Sequence, residues 1–325
     1  MPELFTDSTS RILALGVGRM GTRVAAAGAA NAALYTGAPP AAWGAIHYDR
    51  AELLASGLER KIFCALTASA FSDNAASGIV ADAAEDLSKF SSGRSVAILC
   101  GALLEENTPA LIAALAAVLR ERGLFVCVLA HGESETAMAK ARAAADLFVP
   151  LCAAGTAFSE DADAPVSSAR AAADRKLLAA VEALSGVLTQ GLQDGTFTLQ
   201  ALRQTLRGAG PLALGIGLAR GANAPLRAAD AALAQLPRSW KPDALARDRL
   251  EMDDAEASGI AAAVVCGREL SISEADGLRE LCKAGVGATN VLPLLGHCTQ
   301  DHLDVEAVCL LLVRYAGSRN VVSLR

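Results

Sequence analysis

Aromatic side chains, clusters of basic residues and paired cysteines are all scarce in this sequence of 325 residues. Phe, Trp and Tyr together make up 4% of the chain, although apolar residues as a whole make up 53%, and alanine dominates that share. Such a composition excludes an intrinsically disordered chain and favours closely packed helices with small side chains. The length is sufficient for two domains of ordinary size.

No block of Lys and Arg appears in the chain, and the formal net charge is −6. Because nucleic-acid binding depends on local neutralisation of phosphates, we expect no nucleic-acid partner. The amino-terminal sequence MPELFTDSTSR lacks the apolar segment of a secretory signal. Direct membrane insertion is not expected either, because the uncharged run 24–46 is rich in Ala and Gly and is interrupted by Pro39 and Pro40.

None of the eight cysteines has the CxxC spacing that is typical of zinc and redox motifs. Several lie in apolar segments, such as 95–100 and 124–129, where a thiol serves as a small hydrophobic side chain. Buried and reduced cysteines predict a cytoplasmic location. His297, Cys298 and His302 are close in sequence but lack a fourth ligand, so we predict no metal site.

The first half of the chain alternates short apolar segments with Ala-rich helical segments. Strands are predicted at 11–17, 42–48, 95–100, 124–130 and 147–151, and helices at 20–34, 75–90, 108–122 and 134–145. The predicted strands are apolar throughout, which indicates burial on both faces. That pattern is typical of a parallel sheet in an α/β domain.

An uninterrupted helical pattern from about 165 to 192 opens the second half, and its length predicts a helix that connects two domains. A second α/β domain is predicted beyond it. Its strands are expected at 210–221, 259–266, 290–295 and 305–315, and its helices at 198–206, 225–236 and 273–284. The polar segment 237–254 is predicted to be an exposed loop.

A GxGxxG turn, GVGRMG at Gly16–Gly21, follows the first predicted strand and opens a helix. Glycines let the backbone approach a phosphate, and the free N–H groups at a helix start attract an anion. Asp49 follows the second strand, at a position that suits a ribose contact. Two interpretations stay open on these residues: a tight turn without a ligand, and an NAD(P)-dependent oxidoreductase.

The segment 208–233 resembles the FtsZ pattern in which a Gly-spaced strand, MGIGxAxG, runs into a helix written RAxxAAxxAI. RILALGVGRMGTRVA, GAIHYDRAEL and DHLDVEAVCLLLVRYAG are similar to the first, second and last strand regions of that family. The resemblance implies a bacterial protein with the α/β, tubulin/FtsZ-like fold. That fold has an N-terminal Rossmann-like parallel sheet, a long central helix and a second, smaller α/β domain.

The same resemblance implies the domain organisation. The implied bounds are a degenerate nucleotide-binding domain at 1–165, a connecting helix at 166–193, a C-terminal domain at 194–317 and a short tail at 318–325.

The chain departs from the family where FtsZ and tubulin bind nucleotide phosphates with a GGGTGTG loop. The corresponding stretch here is GALLEENTP, in which Gly101 is the only glycine. Glu105 and Glu106 would bring negative charge near the expected phosphates. The third loop, TASAFSDNAASG at 67–78, also lacks the family's GAGANP pattern, and Asp73 and Asn74 are interpreted as a helix cap.

The positions that read the base and promote hydrolysis differ as well. Ala179 stands where the family has an Asn that contacts guanine, and alanine has no group that recognises a base edge. The family's N-x-D-x-x-D loop corresponds to Thr196, Thr198 and Ala201, which supply no carboxylate to orient water. We therefore predict no catalytic residues.

These departures predict an FtsZ-like cytoskeletal or scaffold protein with GTP binding and hydrolysis lost or strongly weakened. It would associate with itself, as a homo-oligomer, or with another FtsZ-family or cytoskeletal protein. No cofactor is expected beyond a weakly bound GTP or GDP. The residual nucleotide pocket would consist of Gly16, Gly18, Gly21, Asp49 and Gly101.

Two alternatives remain at this point. The first is a divergent but active GTPase that forms dynamic filaments and uses the glycine turn with an unconventional phosphate loop. The second is the NAD(P)-dependent oxidoreductase with a Rossmann-type domain, which leaves the matches at 208–233 and 305–317 unexplained.

Overall fold

The structure is a computed structural model with two compact units, Met1–Thr189 and Gln190–Arg325. The residues that it describes are 10–35, 39–65, 73–132, 135–151, 166–208, 212–236, 257–288, 290–300, 303 and 306–316.

A sheet of six parallel strands forms the centre of the first unit. The strands are β1 (Ile12–Val17), β2 (Ala42–His47), β3 (Lys61–Phe63), β4 (Val96–Ala102), β5 (Phe125–His131) and β6 (Leu147–Pro150). They are arranged in the order β3-β2-β1-β4-β5-β6. All residues of β1, β4, β5 and β6 are buried, which agrees with the apolar sequences of these strands. The predicted parallel α/β sheet is therefore confirmed.

Helices alternate with these strands along the chain, and a long helix follows the last strand. They are α1 (Gly18–Ala32), α2 (Arg50–Ala55), α3 (Asp73–Asp82), α4 (Ala84–Ser91), α5 (Thr108–Glu121), α6 (Glu135–Ala144) and the long helix α7 (Val166–Asp194). The apolar face of α5, with Leu111, Ile112, Leu115 and Leu119, is fully buried in the core of this unit. Repeated apolar residues at helical spacing thus explain both the helix and its attachment to the sheet.

The second unit has a mixed sheet of four strands. Its elements are α8 (Leu199–Thr205), β7 (Leu212–Arg220), α9 (Ala224–Ala234), β8 (Ala257–Cys266), α10 (Ile272–Gly285), β9 (Leu294–Thr299) and β10 (Glu306–Tyr315). The strand order is β7-β10-β8-β9, in which β10 is antiparallel to both neighbours and β8 is parallel to β9.

The glycines of β7 let α9 pack directly on the strand. A Cβ atom at Gly215 would lie 2.0 Å from the carbonyl oxygen of Ala232, and one at Gly217 would lie 1.8 Å from that of Ala228. Both distances are far shorter than any real contact, so only glycine fits there. Gly215 and Gly217 of the Gly-spaced pattern are therefore required by the packing of this strand against this helix.

Some predicted element bounds were wrong. The strand predicted at 290–295 is β9, which begins at Leu294 and ends at Thr299 because it pairs in parallel with 261–266 of β8. The helix predicted at 75–90 is two helices, α3 and α4, separated at Ala83, whose ψ of 7° is not helical. The short elements α2 and β3 were not predicted, and the predicted loop 237–254 lies outside the described residues.

Seven cysteines lie in the described part of the chain, and all seven are free thiols. Six of them are buried, and burial raises the pKa of the thiols at Cys64 and Cys100 to about 12. Within the same described ranges, no helix combines the length and the apolar character needed to cross a lipid bilayer.

Candidate functional site

The loops at the carboxyl ends of β1, β2 and β4 carry the predicted site residues. Strand β1 lies between β2 and β4 in the sheet, and Val17 of β1 pairs with Gly101 of β4. After β1 the chain continues to β2 on one side, and after β4 it continues to β5 on the other side. The chain therefore leaves β1 and β4 in opposite directions along the sheet. In open α/β sheets, ligands bind outside the carboxyl ends of strands at such a switch point.

Gly16, Gly21 and Gly101 are required by packing within the protein. A Cβ atom at Gly16 would lie 2.0 Å from the carbonyl oxygen of Gly21, and one at Gly21 would lie 2.4 Å from that of Cys100. A Cβ atom at Gly101 would lie 2.5 Å from the carbonyl oxygen of Val17. These glycines bring α1 close to β1 and β4, and this role needs no ligand.

Gly18 has a different role, because it is the residue that faces the loop after β4. Its φ of 74° lies in the left-handed region that favours glycine. A Cβ atom at this position would lie 2.4 Å from Oε2 of Glu105 and 2.3 Å from Oγ1 of Thr108. The absence of a side chain at Gly18 thus leaves room for the Glu105 carboxylate.

The Glu105 carboxylate is bound to the amino-terminal end of α1. Its Oε2 accepts a hydrogen bond from the backbone N–H of Arg19 at 2.7 Å, and its Oε1 accepts one from the backbone N–H of Met20 at 2.8 Å. The hydroxyl of Thr108 is 3.3 Å from Oε2 and donates to it. The first amides of a helix have no partner within the helix, and the helix dipole favours a negative charge there. A carboxylate of the chain itself therefore holds the position where the sequence predicts a phosphate.

The side chain of Arg19 links this position to the loop after β2. Its Nε lies 2.7 Å from Oε1 of Glu52, and Oε2 of the same carboxylate lies 3.0 Å from Nε2 of His47. Nδ1 of the fully buried His47 accepts a hydrogen bond from the backbone N–H of Asp49 at 2.7 Å. In a neutral imidazole the proton is then on Nε2, which donates to Glu52. Glu52 raises the pKa of the Arg19 guanidinium, chiefly through their hydrogen bond.

Asp49, the residue predicted to suit a ribose contact, caps α2. Its Oδ1 accepts hydrogen bonds from the backbone N–H groups of Ala51 at 2.9 Å and Glu52 at 3.1 Å. The bond from Glu52 is the main cause that holds the pKa of the Asp49 carboxyl below its usual range. Capping explains an aspartate at this position without a ligand.

The other positions singled out in the sequence are not part of this cluster. Glu106 is exposed, and Ala179 is a half-buried residue of α7. In the second unit, Oγ1 of Thr198 accepts a hydrogen bond from the backbone N–H of Ala201 at 3.1 Å and caps α8. Two of the three residues aligned with the family's hydrolytic loop thus form a helix cap.

The residues weighed as a metal site lie partly in a strand. His297 and Cys298 belong to β9, and His302 is outside the described residues. Nε2 of His297 is 3.2 Å from the carbonyl oxygen of Arg268 and 3.7 Å from Sγ of Cys266. Over the described ranges, no group of three His, Cys, Asp or Glu residues is arranged to hold a metal ion.

Sequence reasoning missed three residues of the cluster: Arg19, His47 and Glu52. A signal for two of them was present, because His47 and Glu52 flank Asp49 at the end of a predicted strand, in HYDRAEL. Polar residues that follow a buried parallel strand converge at one edge of the sheet. Arg19 lies inside the glycine turn, and the spacing of the glycines gives no indication of its role.

Comparisons with known proteins support the fold. No protein-family model and no curated protein matches the chain. An FtsZ dimer from M. jannaschii, described as empty, is similar with a TM-score of 0.74 and 16% identity, over 95% of this chain and 89% of that one. A GTPγS-bound protofilament of CetZ2 from Haloferax volcanii is similar with a TM-score of 0.64 and 16% identity, over 95% of both chains.

A third similar structure is CetZ from Methanosaeta thermophila, with a TM-score of 0.64 and 13% identity, over 95% of this chain and 88% of that one. Similarity at these identities concerns the fold alone. It extends along nearly the whole chain and agrees with the six-stranded parallel sheet and the helices described above. The protein therefore has the tubulin/FtsZ fold that the sequence resemblance implied.

Proposed function

We propose that the protein is an FtsZ-like cytoskeletal or scaffold protein that assembles without GTP turnover. In this proposal it associates with copies of itself or with another FtsZ-family protein, and its GTP binding and hydrolysis are lost or strongly weakened. The observation that carries the proposal is the Glu105 carboxylate on the backbone N–H groups of Arg19 and Met20.

Charge repulsion supports the loss of nucleotide binding. A phosphate that approaches the start of α1 either displaces Glu105 or lies beside it. Two like unit charges about 4 Å apart near a protein surface repel each other by about 4 kcal/mol. The exposed Glu106 adds a second negative charge in the same loop. A triphosphate would therefore need compensating positive charge to bind with useful affinity.

The remaining nucleotide contacts are also weakened. Ala179 offers no hydrogen-bonding side chain where the family reads the base. Thr198 and Ala201 replace acidic residues of the family's hydrolytic loop, and they cap α8 instead. Without a carboxylate to orient water, the site lacks the usual means of promoting phosphoryl transfer to water.

Association of subunits does not require nucleotide in principle. Among the similar structures, the M. jannaschii FtsZ dimer is described as empty, whereas the CetZ2 protofilament is bound to GTPγS. Leu104 is 65% exposed in the loop that carries Glu105, so an apolar side chain lies beside the closed site, by which we mean the start of α1 that the Glu105 carboxylate occupies. An apolar contact can replace a bound nucleotide between subunits, and a head-to-tail contact that does not close on itself grows into filaments.

The proposal is tested with the purified full chain in three measurements. Calorimetry with GTP should give no heat of binding at micromolar nucleotide, and phosphate release should stay at background as protein concentration rises. Sedimentation and electron microscopy should give the same assemblies with and without GTP.

Other outcomes favour the alternatives. Micromolar binding with turnover that increases with protein concentration would contradict the proposal and favour the divergent GTPase. A fluorescence change on addition of NAD(P)H would favour the oxidoreductase.

A further inference from the structure

We propose that Glu105 is a built-in anion that keeps the carboxyl edge of the first sheet closed by a contact within the chain. In this inference the carboxylate takes the place of an oxyanion ligand of the phosphate class. The protein would then hold these loops in their folded arrangement without any bound anion. The inference concerns the state of the site and does not depend on whether the protein assembles.

The geometry is that of a bound oxyanion. The two oxygens of Glu105 each accept one N–H, from Arg19 at 2.7 Å and from Met20 at 2.8 Å. Charge-assisted hydrogen bonds of this length are stronger than neutral ones. The contact joins residues 86 positions apart in the sequence, so it ties the loop after β4 to the turn after β1.

The neighbouring cations of α1 are paired with other acidic groups. Nε of Arg19 lies 2.7 Å from the carboxylate of Glu52, and Nε of Arg23 lies 2.7 Å from that of Asp174. Glu105 is therefore bound by backbone amides at a helix start, which is the mode in which proteins bind phosphate and sulfate.

Removal of the carboxylate would expose an empty anion position. Without Glu105, the amides of Arg19 and Met20 lose the partner that they have in this structure. Gly18 has no side chain to fill the space that the carboxylate leaves. An oxyanion from solution can then make the same two hydrogen bonds, and the structure becomes dependent on that anion.

Thermal unfolding of the full chain tests this dependence. The variants are Glu105→Ala and Glu105→Gln, with Glu106→Ala as the matched control, because Glu106 is an exposed carboxylate in the same loop. The midpoint of unfolding is measured in increasing inorganic phosphate and in sodium chloride of equal ionic strength. We expect Glu105→Ala to gain about 3 °C or more in saturating phosphate over chloride. The wild type and Glu106→Ala should show no difference between the two salts.

The Glu105→Gln variant keeps one acceptor oxygen and should gain less than Glu105→Ala. If Glu105→Ala does not fold in chloride, its folding in phosphate alone would support the inference. An equal phosphate effect in the wild type would overturn the inference, because the site would not be closed. A folded Glu105→Ala variant without a phosphate effect, or with folding in neither salt, would also overturn it.

A second arm compares inorganic phosphate, pyrophosphate and GDP on Glu105→Ala. We expect GDP to bind no more tightly than pyrophosphate, because Ala179 offers no contact for a base. Tighter binding of GDP would overturn the assignment to a simple oxyanion. A wild type that does not assemble would contradict the proposed function alone, whereas an equal phosphate effect in the wild type and in Glu105→Ala would contradict this inference, so the failures of the two proposals are distinguishable.

Discussion

Asn31 of α1 donates a hydrogen bond from Nδ2 to Oε1 of Glu182 on α7, over 2.8 Å and across 151 residues of sequence. The bond lies within the first unit and joins the long helix to the helix that begins at the glycine turn. Burial raises the pKa of the Glu182 carboxyl, and the bond from Asn31 offsets only part of that rise. The protein therefore places an ionisable group where its neutral form is favoured.

Glu182→Gln is expected to stabilise the protein at neutral pH. A carboxyl with a raised pKa binds more protons in the folded than in the unfolded chain. Its contribution to stability is therefore full below the unfolded pKa, near 4.5, and is lost as pH rises through the folded pKa. Gln keeps the acceptor oxygen for Asn31 without the charge.

We expect a gain on the order of 1 kcal/mol at pH 8 that shrinks towards pH 4.5. Urea unfolding at the two pH values measures it. The exposed Glu121→Gln on α5 is the control and should show no such pH dependence. A Glu182→Gln variant less stable than the wild type at pH 8 would contradict the prediction.

Gly21→Ala is expected to destabilise the first unit. A Cβ atom at Gly21 would meet the carbonyl oxygen of Cys100 at 2.4 Å, and backbone must move to relieve that contact. Overpacking of this kind typically costs about 1 to 3 kcal/mol.

Gly78→Ala is the matched control, because Gly78 lies in α3 and has no atom within 4 Å of an added Cβ. A helix interior gains about 0.5 to 1 kcal/mol from this change. Thermal unfolding of both variants compares them. Equal changes in the midpoint of unfolding would show that packing does not require a glycine at position 21.

The strands of the first sheet could be predicted closely because they are buried on both faces. Burial of that kind requires continuous apolar sequence, and the predicted strand at 42–48 differs from β2 (Ala42–His47) by one residue. The difference between the predicted strand at 290–295 and β9 (Leu294–Thr299) had another cause. Its span is determined by pairing with β8, a contact between distant segments that local sequence does not record.

The position of the candidate site could be predicted from the sequence, but the group that occupies it could not. The glycine spacing of Gly16–Gly21 predicts a turn that opens a helix, and the structure has that turn. Glycine spacing alone does not distinguish glycines that let a phosphate approach from glycines that let another backbone segment pack closely. Glu105 was expected to repel a phosphate. Its bond to amides 85 and 86 residues away depends on the tertiary fold, which places the two loops together.

Glu274 at the start of α10 is expected to make the second unit sensitive to acid. Ser271 and Glu274 form a capping box, and Arg268 Nη2 lies 2.5 Å from the Glu274 carboxylate. The hydrogen bond from Arg268 is the main cause that lowers the pKa of Glu274 to about 2. A carboxyl with a lowered pKa contributes stability above its unfolded pKa, and that contribution is lost as pH falls through the folded pKa.

Glu274→Gln keeps the capping geometry but removes the charge. We expect it to cost about 1 kcal/mol at pH 7 and to be close to neutral at pH 2. Glu280→Gln on the same helix is the control, because Glu280 is exposed and its carboxylate pairs with Lys283 at the surface of the helix. Urea unfolding at pH 7, 4 and 2 measures the difference. A constant cost at all three values would contradict a role for the charge.

Leu104→Ser is expected to weaken assembly under the proposed function. Leu104 is 65% exposed beside the closed site, and Leu34, at the opposite end of α1 from the glycine turn, is 62% exposed. The two leucines are thus matched in residue type and exposure but lie at opposite edges of the parallel sheet. Burial of a leucine side chain in a contact contributes about 1.5 to 3 kcal/mol, so its loss should raise the critical concentration about tenfold or more.

Leu34→Ser should leave the critical concentration near that of the wild type, because its edge of the sheet carries none of the loops of the closed site. Sedimentation across a range of protein concentrations, with circular dichroism to verify folding, compares the three proteins. An equal loss in both variants would indicate a general effect of exposed apolar surface. Unchanged assembly in Leu104→Ser would exclude the loop after β4 as the contact, and the association surface would have to lie elsewhere on the protein.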